Sequence, residues 1–287
     1  MNRCVTPPAV AALCLLAALA VLSPQASAHW LPGTDYPTQG EVIDEAGEAA
    51  QAHGTRTYLP LISGGAAPAD ACAPIPGASY QALTVPPPPS DRPAEAHGDL
   101  NLALRGYSAT SGYLGLVDIN GGSDPAAPQL AGLFADRRTP SFQSVYRVND
   151  WNWACNCRGA PISSPAVTLA RLATTPGEII SLPASGYQIG SGYQALLLYA
   201  SAERLTLKYT RDDNVVHGYT LHLENLCVEP GLLSLYQSLY AAGRSSLPAL
   251  RGGQALGRAR EAAIGVAIRD NGTFLDPRSR KDWWQGR

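Results

Sequence analysis

The sequence predicts a mainly β fold with one short helix. Three observations carry this. Apolar and β-branched runs of five to eight residues recur in quick succession from about residue 99 onward, each bounded by Gly, Pro, Asn or Asp. Gly (28) and Pro (24) are abundant, and Tyr outnumbers Phe by 13 to 3, a composition suited to a turn-rich exported β domain. One segment only, Gly231 to Gly243 ("GLLSLYQSLYAAG"), has helical apolar spacing with a glycine stop.

The amino terminus carries Arg3, the apolar run "AVAALCLLAALAVL" and then "SPQASA". This is the layout of a secretory signal peptide over residues 1–28, with cleavage expected after Ala28. Its apolar core is short for a membrane span, and no other stretch reaches 18 uninterrupted apolar residues, so no span is expected once the signal is removed. The expected location is therefore secreted or extracytoplasmic. Residues 29–95 read as a Pro/Gly-rich linker, with a possible short helix at "EVIDEAGEAAQAH", a possible strand at "TYLPLI" and four consecutive prolines in "TVPPPPSDRP". Residues 96–145 read as an amino-terminal β extension containing the strand candidates "GYLGLVDI" and "SFQSVYRV". Residues 146–287 read as the main β domain, with strands at "EIISL", "YQALLLYA", "RLTLKYT", "VVHGYTLHLENLC" and "GVAIRD".

Outside the signal peptide there are four cysteines, Cys72, Cys155, Cys157 and Cys227, an even number that argues for disulfides in an exported chain. Four cysteines allow three pairings. Cys155 and Cys157 are one residue apart, so each is expected to bridge to Cys72 or Cys227 rather than to the other. A metal site at "WACNC" lacks further ligands. The net charge of −2 and the absence of a basic stripe exclude nucleic acid as an expected partner.

Three blocks resemble the lysostaphin/LytM-type zinc endopeptidases, which cut peptidoglycan cross-bridges. "TTPGEIISLPASGYQI" (174–189) is similar to the family's "P-x-G-T-P-V-x-A-x-x-x-G-x-V" hairpin. "GYTLHL" (218–223) is similar to its "Y-x-H-L" strand. "ALRGGQALGRARE…IGVAIRDNGTFLDP" (249–277) is similar to "V-x-x-G-Q-x-I-G-x-x-G…H-L-H-F-E-V-R-x-N-G-x-x-x-D-P". The resemblance implies a compact, mainly antiparallel LytM-like domain with a groove across one sheet.

It also implies a zinc ion that polarises the scissile carbonyl and activates water. The aligned ligand positions, however, carry Val167, Arg171 and Gly265, and none of these can donate electron density to zinc. No H-x-H and no H-x-x-x-D occurs anywhere in the chain. Of the family's five functional side chains only His222 is matched, as a vestigial catalytic candidate. The expectation is therefore a metal-free relative with no cofactor, leaning away from enzyme. It would bind cell-wall peptide, glycan or a cell-envelope protein through His222, Tyr219, Arg171, Trp151 and Trp153.

Two alternatives stand beside this reading. One is an active cell-wall or peptide hydrolase with non-standard residues, for which Asp212, Asp213, Glu203 and Glu224 supply carboxylates. The other is a structural envelope protein. "TRDDN" reads as a polar hairpin tip, His97 and Asp99 as a solvated strand start, and Trp283 and Trp284 as either exposed stacking surfaces or an edge seal.

Overall fold

The nine-residue stretch from Ile264 to Gly272 shows how local chemistry builds the sheet. Strand β13 (Ala263–Asp270) alternates Ile264, Val266 and Ile268 on one face with Gly265, Ala267 and Arg269 on the other. Asn271 and Gly272 then turn the chain with φ of 46° and 79° into β14 (Thr273–Leu275). Positive φ at both central residues of a two-residue loop is the geometry that Asn-Gly favours in hairpins.

The computed structural model describes residues 72–86 and 93–287, all within the unit Leu61–Arg287. The signal-peptide segment, "EVIDEAGEAAQAH", "TYLPLI" and the last three of the four consecutive prolines lie outside the described residues. The remaining strands are β1 (Gln81–Thr84), β2 (Tyr107–Thr110), β3 (Phe142–Asn152), β4 (Cys157–Pro161), β5 (Leu169–Ala173), β6 (Ile179–Ser181), β7 (Ala195–Ala200), β8 (Arg204–Lys208), β9 (Tyr219–Glu224), β10 (Leu226–Val228), β11 (Ser246–Leu250) and β12 (Ala255–Ala259). The helices are α1 (Leu102–Arg105), α2 (Pro230–Ala241) and α3 (Arg280–Trp283).

Among these residues one eleven-stranded antiparallel sheet runs β1-β11-β7-β8-β9-β13-β5-β3-β2, with β14 on β13 and β4 on β3. A second sheet runs β10-β12-β6. The mainly antiparallel β expectation holds, and the helix at 231–243 is found as α2. Glu229 caps it, its carboxylate accepting from the Leu232 amide at 3.0 Å, and Pro230 opens it.

The two faces of the large sheet differ. Leu205, Leu207, Leu221, Leu223, Ala170, Leu172, Val145 and the three apolar residues of β13 belong to one core that also takes in Leu232, Trp283 and Trp284. The two tryptophans therefore seal the fold: their indole N–H groups donate to the Asp276 and Pro277 carbonyls at 2.9 Å. The opposite face carries Arg204, Thr206, Lys208, Thr220, His222, Glu224, Arg171 and Arg269, aligned by the registers of β8, β9, β13 and β5.

Four sequence expectations are corrected. Part of the segment read as linker is sheet, since β1 pairs with β11 from Gln81↔Ala249 to Thr84↔Ser246. The 96–145 extension is not a separate region, because β2 and β3 join the same sheet as β5 and β13. "GYLGLVDI" is not a strand; it makes a single bridge, Val117 to Ser279, and leaves Tyr113 and Leu114 exposed. Finally, Cys72 pairs with Cys227 while Cys155 pairs with Cys157. Asn156 between the latter two has φ 49°, and this left-handed turn brings their Cα atoms to 5.2 Å, within disulfide reach.

Candidate functional site

Strand β9 places Thr220, His222 and Glu224 on the polar face at two-residue intervals, and that face is divided in two. One half is roofed over. Leu102 of α1 and Phe274 of β14 pack with Val148, Leu169 and Ala267, and Asp99 enters from the preceding loop. Asp99 Oδ1 accepts from Arg105 at 2.6 Å and from Arg269 at 2.7 Å. Burial alone would raise this carboxyl, but the two guanidiniums hold it below the usual carboxylate range. Arg269 also lies over the Phe274 ring at 4.5 Å. The solvated reading of Asp99 is thus overturned: it is the anchor of the roof.

His222 lies beneath this roof, fully buried. Its Nδ1 is 3.0 Å from Thr206 Oγ1, and that hydroxyl donates to the Leu100 carbonyl at 2.5 Å. The hydroxyl proton is therefore committed, and the imidazole must donate from Nδ1. Desolvation first, and the Arg269 and Arg105 charges next, push the ring well below the ordinary histidine range despite Asp99. The expectation that His222 lines an open groove is corrected: it is a neutral buried side chain, with no atom open to a ligand. Tyr219, an odd-numbered neighbour, points to the other face; its hydroxyl donates to Asp124 at 2.9 Å and its ring meets Trp283 edge-on at 5.5 Å. The structure does not bring Tyr219 and His222 together.

The other half of the face is open. Tyr107, Leu169, Arg171, Glu203, Arg204, Glu224, Asn225, Glu261 and Gly265 line a cleft of about 250 Å³. Glu224 accepts from Arg204 at 3.0 Å, yet burial still holds its carboxyl above the usual range. Arg171 donates to the Ala263 carbonyl at 3.1 Å and faces Glu261 at 3.6 Å. Asn225 donates to Glu261 at 3.2 Å, and Glu203 pairs with Arg260. Two guanidiniums and three carboxylates thus converge on one small cleft, a donor and acceptor set for a ligand carrying both signs of charge. Of the residues the sequence singled out, Arg171, Glu203 and Glu224 stand here. Arg204, Glu261 and Tyr107 join them, and no residue spacing groups these side chains in advance of the fold. The i, i+2 spacing from His222 to Glu224 is the signal that could have placed Glu224.

The residues do not fit a zinc ion. Val167 is fully buried in the apolar core, Arg171 is cationic, and Gly265 has no side chain. A Cβ on Gly265 would come within 3.1 Å of the Glu224 Cβ, so a histidine there would need Glu224 to shift. Among the described residues no group of three or more His, Cys, Asp or Glu is placed to hold a metal ion.

Trp151 and Trp153 stand apart from the cleft. They flank a groove of about 810 Å³ at the far end of β3, bounded by residues 150–154 and 159–164. Trp151 is nearly buried and lies flat on Gly98, where a Cβ would meet its ring at 2.5 Å. Trp153 is 43% exposed and meets His97 edge-on at 5.0 Å. Trp151 therefore holds the turn, and the exposed aromatic surface belongs to Trp153. The "TRDDN" tip is corrected too: Asp213 turns inward onto Arg244, with contacts of 2.5 and 2.6 Å.

No family model, curated protein or solved structure matches the chain. No helix among the described residues is long and apolar enough to cross a membrane.

Proposed function

We propose that this chain is an extracytoplasmic, zinc-free relative of the lysostaphin/LytM-type endopeptidases. It binds cell-wall peptide through the cleft of Arg171, Arg204, Glu224 and Glu261. The carrying observation is the placement of that cleft. The strands that hold the aligned positions Arg171, His222 and Gly265, namely β5, β9 and β13, are neighbours in one sheet. The aligned ligand positions Arg171 and Gly265 open onto mixed-charge walls. Stem peptides of peptidoglycan carry free carboxylate and ammonium groups, which two guanidiniums and three carboxylates complement. The leading apolar segment and the two disulfides support an oxidising, exported setting. The test is retention of the protein on insoluble peptidoglycan: wild type is retained and Arg171→Glu is not. Equal retention of both would sink the reading.

One observation favours a rival. Glu224 is a buried carboxyl held above its usual range in a cleft with Glu203 and Glu261, the pattern of a general acid in glycoside hydrolysis. Release of reducing sugar from peptidoglycan, abolished in Glu224→Gln, would replace the binding reading with a hydrolytic one.

A further inference from the structure

The two disulfides differ in the properties that govern thiol exchange. Cys72–Cys227 joins positions 155 apart, and Cys227 is buried where β10 pairs with β12. Cys155–Cys157 encloses only Asn156, at the hairpin end of β3, and both cysteines are exposed. A bridge closing so short a loop removes little freedom from the unfolded chain, so it adds little to the fold. The hairpin is held by other means: β3 pairs with β4 at Trp151↔Arg158 and Asn152↔Cys157. The Trp151 indole donates to Asn156 Oδ1 at 3.2 Å, and the Ala154 amide donates to Asn152 Oδ1 at 3.0 Å. These contacts keep the turn when the sulfurs part, and so keep the two thiols poised to close again. Exposed disulfides are the ones open to thiolate attack and reduction.

The groove beside Trp153 has Ala154 in its lining, the residue next to Cys155. An extended peptide lying along Trp153 and Ile162 would pass beside Ala154, next in the chain to the bridge. We propose that Cys155–Cys157 is an exchange-active disulfide that oxidises a dithiol peptide seated in this groove. A peptide thiolate attacks one Sγ, forming a mixed disulfide and expelling the other cysteine as a thiolate. The second peptide thiolate attacks the peptide's sulfur in that mixed disulfide. The peptide disulfide forms and the remaining cysteine leaves as a thiolate. Two electrons pass from peptide to protein, and the two protons lost by the peptide thiols end on Cys155 and Cys157. One turnover needs no other reactant.

The experiment mixes the full chain with a synthetic peptide bearing two reduced cysteines, quenches with acid, alkylates, and locates labelled cysteines by mass. Labelling of Cys155 and Cys157, with Cys72–Cys227 intact and the peptide oxidised, is expected. Oxidation should be at least about tenfold slower with the Cys155→Ser/Cys157→Ser chain. Equal peptide oxidation by that variant, or reduction of Cys155–Cys157 no faster than Cys72–Cys227, overturns the proposal. Trp153→Ala should slow oxidation of the peptide while leaving oxidation of reduced glutathione unchanged. An unchanged peptide rate overturns the role of the groove.

Discussion

Thr206 and His222 form a buried hydrogen bond between β8 and β9, and its direction is fixed. Thr206 Oγ1 gives its proton to the Leu100 carbonyl, so the imidazole donates from Nδ1 and keeps a bare Nε2. The expected nitrogen NMR signature is one neutral tautomer, protonated at Nδ1, unchanged from pH 8 to pH 6. A mixture of tautomers would contradict the assignment.

The same burial sets a pH dependence. The folded pKa of His222 is depressed below the free value of about 6.5. Above that value the ring is neutral in both states, so nothing is lost. Below it the unfolded chain takes up a proton that the folded chain refuses. Stability therefore falls as pH drops from about 6.5 towards 5, with a contribution approaching about 1.4 kcal/mol per pH unit. Denaturant melts at these pH values check it, and His222→Leu should lose that part of the slope. His222→Ala should cost about 2–4 kcal/mol at neutral pH, because it empties a fully packed site.

Asp213 and Arg244 make a second buried relationship. Arg244 reaches both Asp213 oxygens, the Leu198 carbonyl at 2.5 Å and the Tyr236 hydroxyl at 3.2 Å. Removing one charge strands the other out of water. Asp213→Ala should lower unfolding free energy by roughly 3–5 kcal/mol, read from chemical denaturation. A loss under about 0.5 kcal/mol would place Asp213 back at a solvated tip.

Cys72 tethers the chain ahead of β1 to β10, 155 residues further along the sequence. Replacing Cys72 and Cys227 by Ser should cost about 2–5 kcal/mol, because that long loop is freed in the unfolded state. The melting temperature of the double variant checks this, and the Cys155→Ser/Cys157→Ser chain should melt close to wild type.

Much of the architecture was legible because the signals were local. The run "ALLLYA" is buried on both faces as β7, and Glu229-Pro230 with the spacing of Leu232 and Tyr236 marks α2. The candidate site was legible only in part. Arg171 could be placed by counting from the first block, but the split of the polar face could not. That split depends on α1, Phe274 and Asp99 folding over Thr206 and His222, a contact between segments far apart in sequence. His222 and Glu224 are two residues apart on one strand, and only the roof separates a buried histidine from a cleft carboxylate. The cysteine pairing was missed because the positive φ of Asn156 is not visible in residue spacing.

The cleft makes a direct demand on ligand chemistry. Arg171→Glu reverses one wall charge while leaving the apolar core untouched, so it should abolish peptide binding while the chain still unfolds cooperatively. A calorimetric titration of soluble peptidoglycan stem peptide into the full chain, with excess chelator present, tests the central claim most directly. Saturable one-site binding, lost in Arg171→Glu, is the predicted result. Absence of binding by the folded wild-type chain, or binding that appears only when zinc is supplied, would contradict it.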